Sequence, residues 1–116
     1  MAQERVYAGI DIGATNIKYG LVDARGKVLF KEQSSKGGLT GTLVDVRLVF
    51  KKAIDLFATA VILCHNHPSG KLQPSNADKS ITQKLKQAGE TLDIKVLDHL
   101  IITENEYFSF ADENLM

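Results

Sequence analysis

Apolar residues come in short runs through the first third of the chain and shift to helical spacing after residue 44. Residues 6–10 and 17–22 are apolar runs separated by Asp11-Ile12-Gly13-Ala14-Thr15-Asn16, a stretch of turn chemistry. A third run, 27–33, follows Asp23-Ala24-Arg25-Gly26, whose glycine supplies the positive φ that a tight hairpin turn needs. Three strands in a meander are therefore predicted. The stretch SSKGGLTGT, 34–42, predicts a flexible loop. Val46, Val49, Phe50, Ala53, Ile54 and Phe57 then recur at the spacing of an amphipathic helix over 45–57. TAVILC, 59–64, is almost wholly apolar and predicts a central strand covered on both faces. A second helix repeats Ile81, Leu85, Ala88 and Leu92, with Lys79, Lys84, Lys86 and Gln87 on its polar face. Residues 94–97 and 99–103 are strand-like, and 107–110 follows the polar turn Glu104-Asn105-Glu106. The order βββ-α-β-α-β-β predicts an α/β sandwich with a mixed sheet.

Composition narrows this picture without redirecting it. A chain of 116 residues supports one hydrophobic core and one domain. Fourteen basic and fourteen acidic side chains cancel, so there is no overall electrostatic footprint for nucleic acid or an anionic membrane. A single cysteine, Cys64, forms no internal disulfide and favours a reducing compartment. No apolar run approaches the ~18 residues of a membrane span, and the first nine residues, MAQERVYAG, hold no long apolar signal core. The expected location is cytoplasmic, with no membrane partner.

One stretch carries chemistry that no soluble strand or helix requires: HNHPSGKLQPSNAD, 65–78. Side chains two apart on a strand point the same way, so His65 and His67 can face one ion. Asp78, at the start of the next helix, can return as a third ligand. Two imidazoles and a carboxylate suit zinc with a fourth position open to water, whose pKa the metal lowers to about 7. Ser75 would stand beside it, able to donate to a developing oxyanion. The same residues support a plainer reading. Ser75-Asn76-Ala77-Asp78 has the form of a capping box, and Pro74 is ordinary helix-entry punctuation. Spacing alone leaves the two readings open, and they are compatible.

The pattern His65-x-His67-x7-Ser75-x2-Asp78 resembles the JAMM motif of MPN-type metalloproteins, and residues 34–116 as a whole resemble the RadC family. That resemblance implies a cytidine-deaminase-like α/β fold. It implies zinc held by His65, His67 and Asp78, with Ser75 assisting. It also implies a metallopeptidase-type hydrolase acting on peptide or isopeptide bonds, by analogy with relatives that share the motif. Nucleic acid enters only through the family's historical DNA-repair label.

Residues 7–32, YAGIDIGATNIKYGLVDARGKVLFKE, are instead similar to the N-terminal hairpin of ROK-type sugar kinases. This second resemblance implies a phosphate loop formed by Asp11, Gly13, Thr15 and Asn16. The rest of a kinase is absent from the sequence, so ATP and magnesium are not expected, and a simple β-turn is the favoured reading there. The two resemblances together suggest a chimera joined between Leu21 and Lys36. In JAMM enzymes a glutamate near the first core strand serves as general base, and alignment by the hairpin turn brings that position near Asn16, which cannot accept a proton. Asp11 and Glu32 are the substitutes on offer, and the expectation is a metal-competent site with weak or absent turnover. Alternatives are a recombined chain without biochemical function, or a vestigial phosphate-binding module. Loss of a family helix in the replaced segment would uncover a sheet face and favour a homo-oligomer. His99 is read as a satisfied core histidine, Asp98 as a supporting or strand-end residue, Arg47 as a loop pin or surface ion pair, and Cys64 as inert core.

Overall fold

The computed structural model describes residues 5–12, 18–33, 39–40, 43–67 and 69–116. Its elements are β1 (Val6–Asp11), β2 (Lys18–Asp23), β3 (Val28–Gln33), β4 (Leu39–Thr40), β5 (Leu43–Val44), α1 (Val46–Asp55), β6 (Ala60–Asn66), α2 (Asn76–Leu92), β7 (Lys95–Ile102) and β8 (Tyr107–Ser109). Six strands form one mixed sheet in the order β3-β2-β1-β6-β7-β8. β6 runs parallel to both β1 and β7, and the remaining neighbours are antiparallel.

The predicted meander forms. Asp23 closes its turn by accepting the Arg25 and Lys27 N–H groups at 2.9 Å each, and Gly26 takes φ 84°. What the local pattern did not indicate is where the meander docks. β1 pairs parallel with β6, with Ala8 opposite Val61 and Ile10 opposite Leu63. Those four side chains share a face and are fully buried with Val49, Phe50 and Ala53 of α1 and Leu85 of α2. Both helices thus cover the same face of the sheet. The expectation that TAVILC is covered on both sides is corrected: Ile62 and Cys64 point the other way and are only half-buried. Leu97 and Ile102 on that side are exposed.

Three boundaries also differ from expectation. Part of the predicted loop pairs as the two-residue strands β4 and β5, too short for any periodicity to register. The strand-like segments on either side of Asp98 are one strand, β7, irregular where Val61 and Ile62 meet Val96 and Asp98. Asp98 interrupts the apolar pattern without interrupting the strand, because its carboxylate accepts N–H groups from His99 at 2.7 Å and Ala111 at 3.0 Å. Helix α1 stops at Asp55, short of Phe57. Phe57 and Ala58 instead donate their N–H groups to Ile54 and Ala53 at 3.0 Å each, a Schellman closure.

That closure puts Phe57 at φ 55° with 86% of its surface exposed. A non-glycine residue in the left-handed region carries roughly 1–2 kcal/mol of strain, and this ring recovers little by burial. Phe57→Gly is expected to raise stability by about 1 kcal/mol, read as a higher urea midpoint with unchanged slope. A lower midpoint would show that the ring contributes packing that outweighs the strain.

Candidate metal centre

The carboxyl ends of β1, β6 and β7 lie at one edge of the sheet, and the N-terminus of α2 arrives there. β6 runs two residues beyond the predicted strand and so carries His65 on its helix-facing side. His67 follows directly, and its N–H donates to the Ile102 carbonyl at 3.2 Å. Gly70, at φ 80°, turns the loop back so that the Lys71 carbonyl meets His67 Nδ1 at 2.8 Å. The capping box at Ser75 is present. Ser75 Oγ accepts the Asp78 N–H at 3.0 Å, and Asp78 Oδ2 accepts the Ser75 N–H at 2.8 Å. Capping and convergence are therefore one arrangement, since the carboxylate that closes the box also faces the histidines. His65 Nε2 lies 3.4 Å from Asp78 Oδ1, and His67 Nε2 lies 3.3 Å from Asp78 Oδ2.

Following the protons shows what this cluster needs. Thr82 donates its single hydroxyl proton to the Asp78 carbonyl at 2.6 Å. Towards His99 Nδ1, also 2.6 Å away, Thr82 Oγ1 must then accept, so His99 carries its proton on Nδ1. His99 Nε2 is left as an acceptor, and His65 Nδ1 donates to it at 2.8 Å. On the other side a carbonyl can only accept, so His67 carries its proton on Nδ1 as well. Each ring of the neutral pair therefore presents a bare Nε2 lone pair, and these two nitrogens stand 2.9 Å apart. Two lone pairs and a carboxylate converging on one point repel one another unless a cation stands among them.

The charges favour metal over proton as that cation. Burial holds His65 below the ordinary histidine range, outweighing the attraction of Asp78. Asp78 is pushed up by its own burial but ends below its ordinary value, because the Ser75 backbone N–H and the neighbouring histidines favour the charged form. The positive end of α2 acts in the same direction. Zinc bonds of about 2.0–2.2 Å put tetrahedral ligand atoms about 3.3–3.5 Å apart. The nitrogen–oxygen separations, 3.4 Å to Asp78 Oδ1 and 3.3 Å to Oδ2, fit that edge, whereas the two Nε2 atoms at 2.9 Å stand closer than it and would have to part slightly around an ion. Among the described residues, His65, His67 and Asp78 form the one such group able to hold a metal.

Other sequence candidates are not brought to this cluster. Asp11 pairs with Cys64 in the β1–β6 register, so strand alternation turns it to the face opposite His65. It acts on the site only at a distance. Glu32 pairs with Tyr19 in β3, and β2 and β1 stand between β3 and β6. Three strand spacings put its backbone about 14 Å from β6. Gly13, Thr15 and Asn16 lie outside the described residues. Cys64 is half-buried on the far face, its thiol pushed up to about 11 by burial and by the charge of Asp11, which leaves it inert. Among the described residues, Arg47 binds its own helix cap, Asp45, at 3.0 Å on the surface.

His99 is fully buried, as a core histidine should be, yet it is also bonded to a candidate ligand. Sequence reasoning did not connect the two, and it passed over Thr82 altogether. The available signal was spacing: Thr82 follows Asp78 by one helical turn and shares its face.

The RadC-like JAB domain model matches residues 13–115. That span includes the β2–β3 hairpin and leaves only residues 1–12 and 116 unmatched. A UPF0758 protein of Flavobacterium johnsoniae is 65% identical over 89 residues, 77% of this chain and 39% of that one. A UPF0758 protein of Porphyromonas gingivalis is 45% identical over 97 residues, 83% of this chain and 43% of that one. The chain thus spans about two fifths of the length of these curated relatives. Among solved structures, T. thermophilus RuvC in complex with Holliday junction substrate aligns with a TM-score of 0.48 and 14% identity, over 85% of this chain and 65% of that one. A likeness at that level bears no functional weight.

Burial of His99 also makes a statement about acid stability. Its pKa is pushed down to about 4, first by burial and then by the neighbouring His65. An unfolded histidine takes up its proton near ~6.5. The unfolded state therefore binds more protons between these values, and the stability present above ~6.5 is lost as pH falls toward 4. In metal-free protein with chelator, the loss across that window is expected to be roughly 3 kcal/mol, read from urea midpoints. A flat profile from pH 7.5 to 4.5 would contradict it.

Proposed function

Since the chain belongs to the RadC-like JAB family, we propose that it is a zinc-binding domain of the metallopeptidase type whose own residues support little or no turnover. The observation that carries this reading is the convergence of two Nε2 lone pairs and the Asp78 carboxylate within 3.4 Å. His65, His67 and Asp78 would hold the ion. When bound, zinc supplies Lewis acidity toward a carbonyl and acidifies water at neutral pH.

The surrounding residues would do the rest. Ser75 Oγ accepts from Asp78 N–H, which leaves its hydroxyl proton to be donated to a carbonyl oxygen gaining charge. Lys71, through its carbonyl, and His99 keep the two rings turned toward Asp78. The substrate class that suits this chemistry is a peptide or isopeptide amide. Hydrolysis also requires a proton acceptor about 2.6–3.2 Å from the attacking water, or one water away. Among the described residues no second carboxylate joins the cluster: Asp11 faces away, and Glu32 sits on the far edge strand. Weak turnover follows from that gap, and the cytidine-deaminase-like form of the fold remains part of the same family-based reading.

The kinase-like resemblance has no comparable support. The RadC-like match takes in the hairpin that carried most of it, and of the phosphate-loop residues only Asp11 is described. Neither ATP nor magnesium enters the reading. No helix among the described residues is long and apolar enough to cross a membrane. The half-bare sheet face, with Leu97 and Ile102 exposed, supports self-association as part of this proposal.

Equilibrium dialysis against zinc should load one ion per chain. His67→Ala or Asp78→Asn should weaken binding at least 100-fold, on the order of 3 kcal/mol. Cleavage of an isopeptide-linked substrate should stay near the chelator-treated background. Wild-type protein that takes up no zinc would overturn the metal assignment. Fast chelator-sensitive cleavage would overturn the assignment of weak turnover.

A further inference from the structure

We propose that His99 is a positioning residue for the metal centre: it fixes His65 in the tautomer that presents Nε2 to the ion. The inference rests on the zinc reading above but goes beyond the ligand set.

The fold must reverse an intrinsic preference of the His65 ring. A neutral histidine side chain in water favours the proton on Nε2, which would block the atom facing His67 and Asp78. In the metal-free protein an acceptor at Nδ1 turns His65 to the other form before any ion is bound. His99 Nε2 supplies it at 2.8 Å. His99 can accept there only if its own proton stays on Nδ1, and Thr82 Oγ1 takes that bond at 2.6 Å. Thr82 is committed to accepting because its proton goes to the Asp78 carbonyl. The relay thus starts on the backbone of one ligand and ends on the ring of another.

The His99 ring is also held in place. Phe110 stacks on it with centroids 4.6 Å apart and planes 10° from parallel. Phe110 is fixed in turn, since its N–H donates to the His99 carbonyl at 3.1 Å and Asp98 accepts from both Ser109 Oγ at 2.6 Å and Ala111 N–H at 3.0 Å. His99 is fully buried and shielded from water, so no solvent molecule substitutes for it at His65 Nδ1. Partners of this kind to metal-bound histidines typically control metal affinity by 10–100-fold.

Two substitutions separate positioning from packing. His99→Phe keeps a ring against Phe110 but has no acceptor, whereas His99→Gln can offer an amide oxygen to His65 Nδ1. Zinc titration against a competing chelator should show a 10–100-fold loss for His99→Phe and a few-fold loss at most for His99→Gln. Independently of zinc, nitrogen-15 NMR of the metal-free wild type should find the His65 proton on Nδ1, moving to Nε2 in His99→Phe. Thermal melts confirm that each variant is folded. If His99→Phe does not fold, the wild-type tautomer and the His99→Gln titration decide. Zinc binding by the wild type with unchanged affinity in His99→Phe, or a wild-type His65 proton on Nε2, would overturn the proposal. Failure of the wild type to bind zinc at all would instead count against the metal reading, while the tautomer measurement still judges this one.

Discussion

Thr82 has one hydroxyl proton, and the geometry commits it to the Asp78 carbonyl. From that single commitment the protonation of His99 and then of His65 follows in sequence. His67 reaches the same state by a separate route, through the Lys71 carbonyl. The outcome is a half-buried point on which two lone pairs and a negative charge converge. Such a point costs stability in a metal-free protein, because electrostatic repulsion is strong where water is scarce. The fold maintains it through the capping box, the helix terminus and the stacked Phe110 ring. A cation turns the same repulsion into attraction.

The sheet makes that convergence possible. Parallel pairing of β6 with β7 sets Leu63 opposite His99 and His65 opposite Ile101. All four side chains lie on the helix-covered face, where α2 brings Asp78 and Thr82 one turn apart. Hydrophobic burial of Ile10, Leu63, Leu85 and Val49 holds α2 and the sheet together, and the polar relay is built at the edge of that core. Gly89 contributes to the same closeness: a Cβ there would run into the Ile94 carbonyl and lie 3.2 Å from Val96. Asp11 and Cys64 share a strand neighbourhood with His65 but not its face, which separates residues that the linear sequence puts side by side.

Local signals were legible where the physics is local. The Asp23–Gly26 turn, the Ser75–Asp78 box and the His65/His67 pair each depend on residues within a few positions, and each appears where its spacing said it would. Phe57 shows the limit of periodicity, since a helix can end before its apolar pattern does. Non-local features could not be read in the same way. Nothing in residues 6–11 says that β1 will slot beside β6, because pairing partners fifty positions apart leave no mark in either segment. The relay was illegible for another reason. Thr82 and His99 look like ordinary half-polar interruptions of apolar elements until the fold brings them within 2.6 Å of each other.

The proposed zinc site requires one ion between His65, His67 and Asp78. Anomalous diffraction on crystals soaked in zinc, collected above and below the zinc absorption edge, tests it most directly. A single strong peak is expected, present only above the edge, within bonding distance of both Nε2 atoms and the Asp78 carboxylate. An edge-dependent map with no peak at that point would contradict it.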